Sequence, residues 1–188
     1  MTDAERDGRP AAAGGQEGAM DWSAAMAQAL TDNGYSVVAY VPDEVTDRLL
    51  TLLRDARATR MVLVTREEEG VGVLSGAFLG GKRGVLVMQS SGLGNSINAL
   101  CSLAIGFQVP LLMVLSERGR LDEMNPVQVP LGRALPKIFE ALGIQAFWID
   151  DAAEIRRTVD GATKLAYASS LPVALVLPTT LTGGKTWR

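Results

Sequence analysis

Six short apolar runs recur along the chain, at Ser36–Val41, Met61–Val64, Gly84–Met88, Pro110–Leu115, Ala146–Ile149 and Val173–Leu177, and stretches of helical character separate them. The runs are apolar throughout rather than alternating. A strand with one wet face alternates apolar and polar residues, whereas a strand covered on both faces does not. Helix candidates fill the intervals at Trp22–Asn33, Glu44–Ala56, Glu67–Leu79, Ser96–Phe107, Leu131–Leu142 and Ala152–Ala168. This order predicts an α/β fold: a doubly wound, mostly parallel six-stranded sheet with helices on both faces. Local signals agree with it. Asn33-Gly34 can end the first helix, Pro42-Asp43 stops the first strand and offers a cap, and Asp150 or Asp151 can cap the last helix.

With 188 residues, 47% of them hydrophobic and 21% charged, the chain has the make-up of one globular domain, expected over residues 20–188. Residues 1–19 are rich in Ala, Gly, Asp and Glu without an apolar run and read as a disordered tail, not a signal peptide. No segment approaches the ~18 apolar residues of a membrane span, so no membrane association and a cytoplasmic location are expected. A net charge of −3, with no Lys/Arg cluster, argues against nucleic acid. Histidine is absent altogether, which removes Ser-His-Asp and Cys-His nucleophiles, His-ligated metals and imidazole acid–base chemistry. The single cysteine, Cys101, lies in an apolar stretch and is expected to be a buried core thiol.

In open parallel sheets, ligands bind outside the carboxyl ends of the strands, so the loops after Val64, Met88 and Leu115 are where chemistry is expected. Each is rich in polar residues and glycine. Gly184-Lys185-Thr186 resembles the end of a phosphate-binding loop, but Thr179 stands where the leading glycine is required and no helix follows. Gly92-Leu93-Gly94 lacks the third glycine of a dinucleotide fingerprint. Gly72, Gly76 and Gly80 give the third helix a smooth face at a cost of about 1 kcal/mol per interior glycine, which points to close approach of the sheet or of another subunit. The same helix opens on Glu67-Glu68-Glu69. Carboxylates favour a helix N-terminus, and three in a row fan around the axis so that at least one turns toward the sheet.

Taken together, Arg66 to Gly70, Gly76-Ala77, the strand Gly84–Met88 and Ser90-Ser91-Gly92-Leu93-Gly94-Asn95 resemble the pyrimidine-binding domain of thiamine-diphosphate enzymes. Asn95–Leu100 and Arg118-Gly119 through Asn125-Pro126, Gln128 and Gly132-Arg133 are similar to the α subunits of sulfopyruvate decarboxylases and to the related phosphonopyruvate decarboxylases. The resemblance runs from Trp22 to Pro178. It implies a two-subunit 2-oxo acid decarboxylase, with 3-sulfopyruvate the expected substrate. It also implies that one glutamate of this helix, matched here by Glu68, bonds N1′ of the cofactor's aminopyrimidine and lets the cofactor act as its own base. Ser91, Gly92, Leu93, Gly94 and Asn95 are the expected cofactor-binding residues. Ser90, Asn98, Arg118, Arg120 and Arg133 are the candidates for the substrate, arginine because its planar donors engage two oxygens of a sulfonate or phosphonate at once.

Such enzymes also need a Gly-Asp-Gly segment with trailing asparagines to hold Mg²⁺ and the diphosphate. This chain contains none: Asp160-Gly161 has no asparagine after it. The resemblance therefore implies that a β subunit holds the metal and diphosphate, in an α2β2 or larger heteromer. Pyruvate decarboxylase and its relatives carry two adjacent histidines in this domain, which cannot be matched here. Two other readings remain open: another split thiamine-diphosphate lyase or carboligase subunit, and, in a different class, a non-catalytic flavodoxin-like assembly module.

Overall fold

The computed structural model describes residues 20–56 and 59–185; the expected tail at residues 1–19 lies outside them. Helix α1 (Trp22–Asp32) starts on Asp21, whose side chain accepts hydrogen bonds from the Ser23 and Ala24 amides. It ends at Asn33, and Gly34 takes the left-handed turn (φ 76°) into strand β1 (Tyr35–Tyr40). A 3₁₀ turn leads to α2 (Asp47–Asp55), then β2 (Arg60–Leu63), α3 (Glu67–Leu79) and β3 (Arg83–Gln89). Next come α4 (Ser91–Ala99), a π-helical continuation over Leu100–Ile105, β4 (Leu111–Ser116), α5 (Val129–Leu142), β5 (Gln145–Trp148), α6 (Ile155–Ser169), β6 (Pro172–Leu177) and the single turn α7 (Thr179–Thr182). Every expected strand is present within a residue or so.

The strands pair in the order β2-β1-β3-β4-β6-β5, all parallel, so the sheet is wholly rather than mostly parallel. Its two faces carry separate cores. Val85, Val87, Leu112 and Val114 pack with Leu30 of α1, Leu53 of α2 and Val159 of α6. Their neighbours Leu86, Met88, Met113 and Leu115 pack on the opposite face with Leu74 of α3, Leu93 of α4 and Leu135 of α5. Alternate side chains of one strand thus feed two apolar layers, which is why the runs show no alternation. The edge strands β2 and β5 are only partly covered.

Three sequence expectations are corrected. Helix α4 begins at Ser91, five residues before the expected start at Ser96, and takes in Gly92 and Gly94. Its glycines read as a loop because their intrinsic helix propensity is poor, yet tertiary contact requires one of them, as shown below. Cys101 is exposed rather than buried, on the outer side of the π-helical segment whose inner side carries Leu100 and Ala104. Along α3, a Cβ added at Gly72 or Gly76 would meet nothing within 4 Å, so these glycines are not sites of close approach to the sheet. Gly70 is: a Cβ there would come within 2.5 Å of Leu86 Cδ1.

Candidate active site

The crossovers diverge between β1, whose chain leads outward to β2, and β3, whose chain leads the other way to β4. A crevice opens at such a switch point, outside the carboxyl ends of the strands. Four segments meet there: Asp43 after β1, Glu67 at the start of α3, Gln89–Ser91 after β3, and Ser116–Glu123 after β4.

The three glutamates of α3 do three different things. Glu67 turns inward, is 9% exposed, and accepts a hydrogen bond at Oε2 from Asn95 Nδ2 (3.0 Å). It lies directly on Gly92, where a Cβ would stand 2.4 Å from Glu67 Cγ. That contact is the tertiary reason for a glycine inside α4. Glu68, the residue expected to meet the cofactor, has a half-exposed side chain that pairs with Arg66 at 2.9 Å and keeps its carboxylate accessible. Glu69 accepts from the Thr65 amide and secures the helix entrance. Helical phase decides among them. With Gly70 close over Leu86 and Val71 and Leu74 in the core, position 67 turns onto α4 and position 68 stays accessible.

Asp43, expected to cap a helix, makes no capping bond. Its carboxylate is 3% exposed and gathers three donors: Ser116 Oγ at 2.7 Å, Lys185 Nζ at 3.1 Å and Gln89 Nε2 at 3.3 Å. Gln89 in turn accepts from Ser91 Oγ (2.6 Å). A hydrogen-bonded chain therefore runs from Ser91 through Gln89 to Asp43 and Ser116. The switch-point rule would have found Asp43 had it been applied to the loop after the first strand as well as to the next three. Beside it lies a cleft of about 340 Å³ lined by Pro42, Asp43, Glu44 and Asp47.

The other expected site residues divide sharply. Ser90 is buried and accepts from the Arg118 amide (3.0 Å), which ties the β3 and β4 loops together. Arg118 is buried in a two-point pair with Glu123, Nε to Oε2 at 2.7 Å and Nη2 to Oε1 at 2.5 Å. Glu123 also accepts from the Gly119 and Asn125 amides. The Arg118 guanidinium, aided by those amides and opposed by burial, holds the Glu123 carboxyl at about 2. Arg118 thus organises its loop. Arg120 pairs with Glu117 at 2.9 Å, and Trp148 Nε1 donates to the same carboxylate oxygen. Arg133 is exposed on α5 and Asn98 on α4. The Leu93 side chain is fully buried in the core, so only its main chain is left to face a ligand.

Among the described residues no three His, Cys, Asp or Glu side chains converge into a metal cage. Among them, too, no helix is long and apolar enough to cross a membrane.

Comparison with known proteins places this arrangement. The chain is 39% identical over 158 residues to the sulfopyruvate decarboxylase subunit alpha of Methanococcus maripaludis, covering 84% of this chain and 95% of that one. It is 37% identical over 157 residues to the same subunit of Methanocaldococcus jannaschii, covering 84% and 93%. The phosphonopyruvate decarboxylase of Streptomyces viridochromogenes is 33% identical over 151 residues, which span 79% of this chain but 38% of that enzyme. No family model matches. Among solved structures, the 2-oxoglutarate:ferredoxin oxidoreductase of Magnetococcus marinus superposes with a TM-score of 0.67 at 13% identity, over 87% of this chain and 29% of its own, a likeness of fold. Near-complete coverage of these subunits, at identities well above 30%, establishes that this chain belongs to the family of sulfopyruvate decarboxylase α subunits.

Proposed function

We propose that this chain, paired with a β subunit in an α2β2 or larger cytoplasmic heteromer, decarboxylates 3-sulfopyruvate to sulfoacetaldehyde with thiamine diphosphate bound between the subunits. The observation that carries the reading is the likeness of this chain, over nearly its whole length, to named sulfopyruvate decarboxylase subunits, with the accessible carboxylate of Glu68 in the first turn of α3. When bound, the cofactor supplies the electron sink that stabilises negative charge left by departing carbon dioxide.

Glu68 is the carboxylate that meets the cofactor. Its carboxyl group would hold and move a proton at N1′ of the aminopyrimidine, while Glu67, fixed by Asn95 and packed on Gly92, braces α3 against α4. Ser91, Gly92, the main chain of Leu93, Gly94 and Asn95 are the segment that would hold the aminopyrimidine, with Gly92 keeping α4 tight on Glu67. Histidine being absent, Asp43, oriented by Ser116 and by Gln89, which Ser91 orients in turn, is the carboxyl group that holds and delivers the proton replacing carbon dioxide. The partner contributes the Mg²⁺ and diphosphate site, because this chain lacks the Gly-Asp-Gly segment.

The test is reconstitution with the β chain, thiamine diphosphate and Mg²⁺, followed by carbon dioxide release from a panel of 2-oxo acids. Preferential turnover of 3-sulfopyruvate is expected. Inert sulfopyruvate alongside rapid turnover of phosphonopyruvate or another acid would replace the substrate, and no turnover of any acid would remove the enzymatic reading.

A further inference from the structure

After β6 the chain does not leave the sheet. Turn α7 is followed by Gly183 and Gly184, both with positive φ (76° and 64°), a conformation that side chains with a Cβ rarely adopt. The Gly184 amide is anchored on Thr182 Oγ1, and Thr179 Oγ1 bonds the Leu121 carbonyl of the β4 loop. These two glycines fold the segment back across the carboxyl edge and deliver Lys185 to Asp43, on the far side of β3 and β4 from where β6 ends. The Gly184-Lys185 pair is therefore built into the crevice by the turn.

We infer that Lys185 is the specificity-determining cation for the anionic tail of the substrate, contacting its sulfonate from the Asp43 side of the crevice. This rests on the sulfopyruvate reading above. The charges at the edge single it out. Arg118 gives two donating nitrogens to Glu123 and is buried; Arg120, paired with Glu117, lines a separate cleft with Trp148, Asp150 and Thr179; Arg66 pairs with Glu68; Arg133 is exposed on α5. Lys185 makes one ion-pair contact, leaving further ammonium hydrogens to donate, and its side chain is 29% exposed. The adjacent wall carries Asp43, Glu44 and Asp47, which would repel a dianion unless a cation stood against it. Asp43 places the ammonium there, and the ammonium makes the wall hospitable to a sulfonate.

The experiment uses the reconstituted heteromer with cofactor and Mg²⁺, comparing wild type, Lys185→Gln and Lys185→Arg. The KM for 3-sulfopyruvate in Lys185→Gln should rise roughly 10- to 100-fold, the loss expected for one or two charge-assisted hydrogen bonds, with kcat changed far less. Lys185→Arg should recover most of the loss. Calorimetric binding gives a readout apart from turnover: 3-sulfopropionate should weaken by the same factor in Lys185→Gln, whereas butyrate, with an uncharged tail, should bind both proteins alike. Unchanged KM and sulfonate affinity overturn the inference. So does a fall in kcat alone, or equal weakening of both inhibitors, since either assigns Lys185 to holding Asp43. A wild-type complex that turns over no sulfopyruvate strikes instead at the proposed substrate, independently of Lys185.

Discussion

Replacing Glu68 by glutamine tests the site at its centre. The side chain keeps its shape; what is lost is the charge of its pair with Arg66 and the ability to trade a proton. The first loss lowers stability by about 0–1 kcal/mol, because the pair is half-exposed, and thermal unfolding of the assembled complex measures it. The second removes an acid–base contribution of roughly 100- to 10,000-fold in kcat, which is about 2.7 to 5.4 kcal/mol at about 1.36 kcal/mol per decade. Glu67→Gln serves as the internal control. Its amide oxygen can still accept from Asn95, and Gly92 still leaves room for it, so the cost is about 1 kcal/mol, the difference between a charge-assisted and a neutral bond, and turnover should change by no more than about fivefold. The two effects differ by more than tenfold, well beyond assay scatter. A Glu68→Gln complex within fivefold of wild type, or a Glu67→Gln complex that loses about 100-fold, would refute the assignment of Glu68.

Gly92→Ala drives a methyl group into Glu67 Cγ, so α4 must shift against α3; stability should fall by about 1–3 kcal/mol, and turnover should fall as the cofactor-binding segment moves. Full activity with an unchanged melting curve would contradict the close approach. The Glu123 carboxyl is held at about 2 against an ordinary 4.5, so its stabilisation is complete above about 4.5 and drains away as pH falls toward 2. Acid titration of stability should lose part of that slope in Glu123→Gln, and superimposable slopes would discount the pair. Tyr35→Phe removes the buried hydrogen bond to Thr163 Oγ1 (3.1 Å) and should cost about 1–2 kcal/mol. The double change Tyr35→Phe with Thr163→Val should cost less than the sum of the two single changes, and strict additivity would show the hydroxyls to be uncoupled.

The sheet was legible because its physics is local and repetitive. Residues such as Val85 and Leu86 must both be apolar when helices cover both faces, and α3 could be bounded from Glu67 to Leu79 by its acidic start and closing glycine. The start of α4 was not, because Ser91, Gly92 and Gly94 carry poor helix propensity and only the contact with Glu67 explains a glycine there. Cys101 was misplaced for a related reason: an apolar neighbourhood in sequence says nothing of which side of a helix a residue occupies.

By itself, then, the order of residues determined the parallel architecture, the family likeness, the edge of the sheet where chemistry gathers, and the exclusion of histidine-based mechanisms. Tertiary structure alone decided which of three consecutive glutamates turns inward, that Arg118 and Arg120 are held by carboxylates, and that Lys185 meets Asp43. The division has one physical cause. Periodicity and composition report which residues must leave water, a short-range property. The rotational phase of a helix and the pairing of distant charges are fixed only when whole elements pack against one another.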